Sequence, residues 1–418
     1  MINLNFQYKL KLKKAQMKEV DRILDTCKSV YNYALKERKD WSNSRKSPVN
    51  ACSLFQEYII PADAPYPNYN NQAKNLTQAR KNHEFLKSVH SQVLQQTLKT
   101  LDRAFSDMKN RGFGFPRYKK RMRSFLFPQL KIDCLEEGII QLPSLGKVRI
   151  RQSRPYPTGF IPKQARIVKK ASGYYVIITF QSQETIPDNP VGESSLGLDA
   201  GIESFLATSE DELIKCPKFL RKVLRKLKLL QRRLKHKKKG SKRWLKLQQK
   251  IAKIHEKIAN TRKDWHYKLA HHVCDHADNF FVEDINFNSW SKGIVRKQSL
   301  DSGIGGFINE VLPYVCWKRG KYYLKVDKNK TSQTCPKCDK ETGKKKLNQR
   351  VHKCQFCGHF ESRDTAAAKV ILKRGLSAVG RAVQPETTGK NAQVVGLSGN
   401  PTQLSLFDLS EYDSRQEA

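Results

Sequence analysis

The stretch Leu196–Ser209, "LGLDAGIESFLATS", reads as an apolar strand, a tight turn and a second strand, with Asp199 where the first strand gives way to the glycine turn. Further along, "FFVEDINF" (Phe280–Phe287) is another short apolar strand, and it ends in acids, Glu283 first. "SRDTAAAKVILKRGL" (Ser362–Leu376) is an alanine-rich helix with Ser362 placed to cap it and Asp364 in its first turn. Singly, each acid has an ordinary reading. Asp199 can be a turn residue, Glu283 decoration at a strand end, and Asp364 a first-turn acid favoured by the helix dipole.

Together the three acids form the arrangement that hydrolysis of a phosphodiester by two divalent ions requires. Such ions sit ~3.5–4 Å apart, one serving the attacking water and one the leaving oxygen. Mg²⁺ is a hard cation that takes oxygen ligands, commonly a few carboxylates plus oxygens of the substrate. A strand-turn-strand with the first acid, a later strand with the second and a C-terminal helix with the third is the chain order of an RNase H-like α/β fold. Asp199, Glu283 and Asp364 are therefore the candidate catalytic residues and magnesium ligands.

Between the second and third acids lie four cysteines in two tight pairs. Cys335-x2-Cys338, fifteen residues, then Cys354-x2-Cys357 is the spacing of a four-thiolate zinc ribbon. Lys337 and Lys353 stand beside the thiols and favour their ionised form. With every position of the tetrahedron taken by protein, a zinc ion there is structural. The remaining six cysteines are scattered singly, which fits reduced thiols in a cytoplasmic protein.

The chain of 418 residues carries 79 Lys and Arg against 39 Asp and Glu, a formal net charge of +40. That excess points to a polyanionic partner, since each neutralised phosphate releases condensed counterions. It is concentrated in residues 217–263, which hold 20 basic residues and the single acid Glu256 around a helical stripe of leucine and isoleucine. The segment reads as a basic helical hairpin that either lines a nucleic-acid channel or lies on anionic lipid. The acids favour nucleic acid. No apolar run approaches the ~18–20 residues of a membrane span, and the N-terminus has no secretory pattern.

Upstream, "LNFQYKLKLKK" alternates as a strand with its basic face outward, and from about Lys14 the apolar residues fall at helical spacing. "IIPADAPYPNYNN" (Ile59–Asn71) reads as a loop, and a second helix follows over Phe85–Arg111. Then "FPRYKKR" interleaves basic and aromatic residues, so Arg117, Tyr118, Lys119, Lys120 and Arg121 are candidates to clamp a nucleic-acid backbone, with Tyr118 either stacking on a base or packed in the domain. From Ile132 to Ser182 short strands predominate. A strand before the helices and strands after them predict a helical domain (15–112) inserted in a small β-barrel-like domain (1–14 and 113–190). The α/β nuclease domain is then 191–330 and 360–378, the ribbon 331–359, and the polar segment 379–418 reads as a disordered tail.

The set "LGLDAG", "VEDINF", "TSQTCPKC…CQFCG" and "SRDTAAAKVI" resembles the TnpB family, also called OrfB of bacterial insertion sequences, whose relatives are the type V CRISPR effectors. The likeness extends to "CKSVYNYAL", "FPRYKKR…SFLFP" and "GFIPKQARIVKKASGYYVIITF", so it covers nearly the whole chain. By this resemblance Asp199, Glu283 and Asp364 match the three acids of the RuvC-like nuclease, Cys335, Cys338, Cys354 and Cys357 match its zinc-binding insert, and the β-rich and helical parts match the wedge and recognition domains. The resemblance implies an RNA-guided endonuclease that uses a transposon-derived guide RNA against double-stranded target DNA next to a short flanking motif. The chain departs from the family pattern at Asp339, where glycine is common, and at Ala366, where asparagine is usual. Neither removes a ligand. An unguided structure-specific nuclease, or a regulator that binds nucleic acid without cutting it, would carry the same basic surface. No tyrosine or serine recombinase signature stands out.

Overall fold

A computed structural model describes residues 2–46, 60–61, 63–183, 189–290, 292–293, 295–346 and 349–383. The chain divides into two compact units, Met1–Ile186 and Pro187–Ala418. The first contains β1 (Ile2–Lys11), α1 (Lys14–Ser44), α2 (Tyr69–Asn82), α3 (Glu84–Lys87), α4 (Ser91–Arg111), β2 (Ser124–Phe127), β3 (Leu135–Glu136), β4 (Ile139–Leu142), β5 (Gly146–Arg151), β6 (Ile161–Lys170) and β7 (Gly173–Ser182). Its strands pair antiparallel in the order β2-β6-β7-β1-β5-β4-β3. The four helices fall in the chain between β1 and β2. Among the described residues no ladder joins the two ends of this sheet, so it is open where the sequence predicts a barrel-like closure.

The apolar residues of α1 recur at helical spacing because one face must be buried. Val20, Ile23, Leu24, Cys27, Val30, Tyr31, Ala34 and Leu35 share one core with Val93, Leu94, Leu98 and Leu101 of α4. Each such aliphatic side chain contributes roughly 1.5–3 kcal/mol on leaving water. One buried cation interrupts that face. Arg38 donates to Gln72 Oε1 and Asp102 Oδ1, both at 3.0 Å, and lies 5.0 Å from the ring centroid of Phe105. Gln72 belongs to α2, a helix that begins inside the run read as a loop. Asn68 caps it by accepting from the Asn71 amide at 2.9 Å, so the local Pro and Asn signals marked its start and hid its body. The helix expected over 85–111 is broken at Ser88–His90 into α3 and α4.

The second unit contains β8 (Ser195–Asp199), β9 (Leu206–Thr208), β10 (Leu213–Ile214), α5 (Phe219–Lys235), α6 (Lys242–His276), β11 (Asn279–Glu283), α7 (Phe287–Trp290), α8 (Arg296–Ser302), α9 (Ile304–Gly306), α10 (Leu312–Lys318), β12 (Tyr322–Val326), β13 (Val351–Lys353), β14 (Phe360–Ser362) and α11 (Arg363–Val383). Five strands form a mixed sheet in the order β10-β9-β8-β11-β12, with β8, β11 and β12 parallel. Parallel strands covered on both faces read as continuous apolar runs rather than alternating ones. On one face Leu196, Leu198, Phe280 and Val282 pack with Ala270, Val273 and Cys274 of α6 and Val315 and Cys316 of α10. On the other, Phe281 and Val326 pack with Ile371 and Val379 of α11.

The basic segment is an α5–α6 hairpin whose second helix runs past 263 to His276, because Leu269, Ala270, Val273 and Cys274 continue its apolar stripe into the core. Likewise α11 runs to Val383, beyond the boundary at 378 expected for the nuclease part, since Val379 extends its buried face. Residues 384–418, the remainder of the tail read as disordered, lie outside the described residues.

Candidate functional site

Helix α11 reaches the sheet by close approach. A Cβ on Gly197 would stand 2.1 Å from the Ala368 carbonyl oxygen, and one on Gly375 would stand 2.0 Å from the Phe281 ring. Only glycine lets strand and helix backbones come so near. Side chains two residues apart in a strand share a face. Asp199 therefore lies on the face of Gly197, and Glu283 on the face of Phe281, both under α11. The β8–β11 register pairs Leu198 with Val282. One step further, Asp199 and Glu283 stand level at the C-terminal ends of adjacent parallel strands. Asp364 enters from the first turn of α11. Within α11 the alanines Ala366, Ala367 and Ala368 are buried, so Ala366 is a packing position.

The electrostatics agree with that convergence. Burial, followed by the charges of Glu283 and Asp364, holds the half-buried Asp199 carboxyl well above its ordinary range, with Arg363 opposing. Burial also raises Glu283. A hydrogen bond from Thr331 and the charges of Arg374 and Lys328 oppose that rise, and Asp327 reinforces it. Carboxylates crowded together without a compensating cation are driven towards the neutral form. A hard divalent ion such as Mg²⁺ would supply the missing positive charge and would bind these oxygens in their ionised form.

The four thiols also converge. Their sulfurs all lie within 4.8 Å of one another, with Cys335 to Cys357 at 3.7 Å and Cys338 to Cys354 at 3.6 Å. Zn–S bonds of ~2.3 Å in a tetrahedron place sulfurs roughly 3.8 Å apart, so the cluster has the size that zinc requires. Each pair sits in a tight turn, closed by Asp339 N to Cys335 O and Gly358 N to Cys354 O, both at 3.0 Å. The fourth residue after each first cysteine is left-handed, Gly358 at φ 72° and Asp339 at φ 57°. That conformation suits glycine. In this chain the Asp339 carboxylate accepts from Lys373 Nζ of α11 at 2.9 Å and 3.1 Å.

Arg117, Tyr118, Lys119, Lys120 and Arg121 form an exposed segment between α4 and β2 of the first unit. Asn32 of α1 pins it by accepting from the Lys119 amide at 2.8 Å and donating to its carbonyl at 3.0 Å. Tyr118 is 47% exposed, with Lys39 Nζ 4.8 Å from its ring centroid. The ring is therefore on the surface and not in the core.

Several residues near the acids carried no signal in the sequence. Arg363 bears electrostatically on Asp199 while donating to the Lys346 carbonyl at 3.1 Å. It also lines a cavity of about 440 Å³ together with Ser332, Gln333, Lys344, Lys345 and Lys346. Thr331 contacts Glu283 directly. An arginine or threonine of this kind is an ordinary polar residue until the fold brings it beside an acid.

Family models match three parts of the chain. One described as "Probable transposase" (OrfB_IS605) covers residues 178–292, and "Cas12f1-like, TNB domain" covers 307–371. "Helix-turn-helix domain" covers 1–47, where this structure has strand β1 and the single helix α1. Over 389 residues the chain is 30% identical to "Putative RNA-guided DNA endonuclease InsQ" of Escherichia coli (strain K12), spanning 88% of this chain and 92% of that protein. It is 27% identical to a "Putative RNA-guided DNA endonuclease" of Streptomyces pristinaespiralis, spanning 91% and 92%. In fold it is similar to the protein of a Cas12f1–sgRNA–target DNA complex, with a TM-score of 0.51, 14% identity, and coverage of 86% of this chain and 83% of that one. The chain thus shares the mixed α/β fold of that protein.

Proposed function

Because the chain belongs to the OrfB/TnpB family of insertion-sequence proteins, we propose that it is an RNA-guided DNA endonuclease acting in the cytoplasm. It hydrolyses phosphodiester bonds of double-stranded DNA at Asp199, Glu283 and Asp364, with a guide RNA from the transposon end and a short motif beside the target. What supports the reading is that the acids stand at the ends of the adjacent parallel strands β8 and β11 and in the first turn of α11, the helix packed over both; beyond burial, the charges of Glu283 and Asp364 raise Asp199.

The three side chains are the ligand set for two Mg²⁺ ions. Magnesium bound there supplies Lewis-acid stabilisation of the charge that develops on the phosphate oxygens. The chain's own contribution is to hold the oxygens on rigid elements, strand ends and a helix first turn, so that little reorganisation accompanies the reaction. Cys335, Cys338, Cys354 and Cys357 hold a structural zinc that fixes the ribbon, 331–359, between β12 and α11.

The remaining parts bind nucleic acid. Guided nucleases hold the RNA–DNA heteroduplex by its backbone, and base pairing reads the sequence. Arg117, Lys119, Lys120 and Arg121 serve that purpose with Tyr118 as a stacking surface, and the α5–α6 hairpin supplies a second cationic face. The β-rich part (1–14 and 113–190) acts as a wedge, and the helical part (15–112) contacts the heteroduplex or the flanking motif. The RuvC-like part comprises 191–330 and α11.

The test is to express the protein with its native flanking DNA and sequence the RNA that copurifies. A discrete RNA running from the element's end into adjacent sequence supports guidance and supplies the reagent for a cleavage assay. Random cellular RNA would instead favour an unguided nuclease or a non-cutting regulator.

A further inference from the structure

Thr331 opens a short 3₁₀ turn, Thr331–Gln333, between β12 and the first cysteine pair. It is 4% exposed, and its Oγ1 donates to Glu283 Oε1. The alternative acceptor for that proton is the Lys328 carbonyl at 3.2 Å, but an ionised carboxylate is the stronger acceptor. Arg374 and Lys328 also act on Glu283 through their charge. Charge at a distance attracts the carboxylate without fixing its rotation, whereas a directed hydrogen bond to one oxygen does both.

The turn that carries this hydroxyl is part of the ribbon. Gln333 accepts at its carbonyl from the Thr342 amide at 2.7 Å and from Thr342 Oγ1 at 2.9 Å. The Ser332 carbonyl accepts from Lys345 Nζ at 2.7 Å. Thr334 bridges to Glu341, and Cys335 N donates to the Lys340 carbonyl at 3.0 Å. Residues 331–335 and 340–342 are thus laced together by their backbones, with the Lys345 side chain tied in, and Cys335 and Cys338 lie in that span.

We propose that Thr331 is a positioning residue that couples the two metal centres: its hydroxyl orients the Glu283 carboxylate and leaves the second oxygen to the divalent cation, and the thiolate cluster sets the place of that hydroxyl. The inference rests on the reading of Glu283 as a metal ligand. Partners that orient metal-ligating groups are worth about 10–100-fold in metal affinity.

The experiment uses the full chain and Mn²⁺ as a probe for the magnesium site, followed by electron paramagnetic resonance, with Glu283→Ala defining the background. Thr331→Val removes the hydroxyl at nearly constant shape and should weaken the carboxylate-dependent binding by about 10–100-fold. Thr331→Ser keeps the hydroxyl and should bind as the parent does. Zinc content and guide-RNA binding, measured on each variant, report whether the fold is intact. Stripping zinc from the parent with a thiol-reactive mercurial should weaken Mn²⁺ binding too, which tests the coupling without any substitution. Parent-like affinity in Thr331→Val, a loss in Thr331→Ser equal to that of valine, or unchanged Mn²⁺ binding after zinc release would each overturn the proposal. If Glu283→Ala still cuts DNA, the triad itself is wrong. If Glu283→Ala is inactive while Thr331→Val behaves as the parent, only the role of Thr331 falls.

Discussion

Substituting Gly197 by alanine tests whether the approach of α11 to β8 sets the geometry of the acids. The new Cβ would lie 2.1 Å from the Ala368 carbonyl oxygen, 2.7 Å from the Leu372 amide nitrogen and 2.9 Å from Leu372 Cβ. Two of these are backbone atoms inside a helix, so no rotamer change relieves them. To restore ordinary contact of 3.4 Å the helix must recede by about 1.3 Å. A displacement of that size in a catalytic group costs about 10²-fold in rate, and Asp364 rides on the displaced helix. Overpacking of this kind also destabilises by about 1–3 kcal/mol.

The assay is cleavage of a supercoiled target by the guide-loaded protein at saturating Mg²⁺, with thermal unfolding and guide-RNA binding measured alongside. Gly197→Ala should cut about 10²-fold more slowly while still binding guide RNA. Gly380→Ala, on the same helix with no atom within 4 Å of the new Cβ, is the control. Exchanging a helical glycine for alanine should raise stability by about 0.5–1 kcal/mol and leave cleavage unchanged. A Gly197→Ala protein that cuts and melts like the parent would refute the account of how Asp364 reaches the other acids.

Three other outcomes are expected. Glu283→Ala should lower cleavage by about 10³-fold or more, since several kcal/mol of transition-state stabilisation are lost, while guide-RNA binding persists; cutting at the parental rate would remove Glu283 from the site. Cys354→Ser should release the zinc and destabilise the second unit, and an unaltered metal content by plasma mass spectrometry would dispose of the ribbon. Burial holds His266 at about 4, well below its usual value, although its Nε2 lies 2.8 Å from the Ser302 carbonyl. The unfolded chain therefore binds a proton between about pH 6.5 and 4 that the native state refuses, and stability should fall as the pH drops through that window. The shift corresponds to about 3 kcal/mol at most. Urea denaturation at pH 7 and pH 4.5 should show less of this loss in His266→Gln; an equal loss in both proteins would place the acid sensitivity elsewhere.

What the sequence disclosed was local in character. An acid at the end of an apolar run, two Cys-x2-Cys turns and an alanine-rich helix are each complete within about a dozen residues, and their chain order matched a fold. The contacts that make the site were not local. Gly197 and Gly375 look like ordinary glycines until α11, more than 160 residues after β8, lies against the sheet. Thr331 is one hydroxyl among many until β12 and the ribbon bring it to Glu283. The same holds for Gln72, whose helix begins inside a loop-like run and whose side chain accepts from the buried Arg38. At Asp339 the sequence showed only a departure from a glycine. The structure adds the left-handed backbone at that position and the pairing of its carboxylate with Lys373.

Chain order carries one further consequence. The ribbon lies between β12, which pairs with the strand of Glu283, and α11, which carries Asp364. Its first knuckle touches Glu283 through Thr331, and Arg363, the residue after its last strand, bears on Asp199. The insert thus stands in the chain between a strand that pairs with β11 and the helix α11, which opens on Arg363. Movement of that segment would reach Glu283 through Thr331 and Asp364 through α11. A zinc ion held by the four thiols, with no open coordination position, would on the proposed coupling act on the acids only through these contacts.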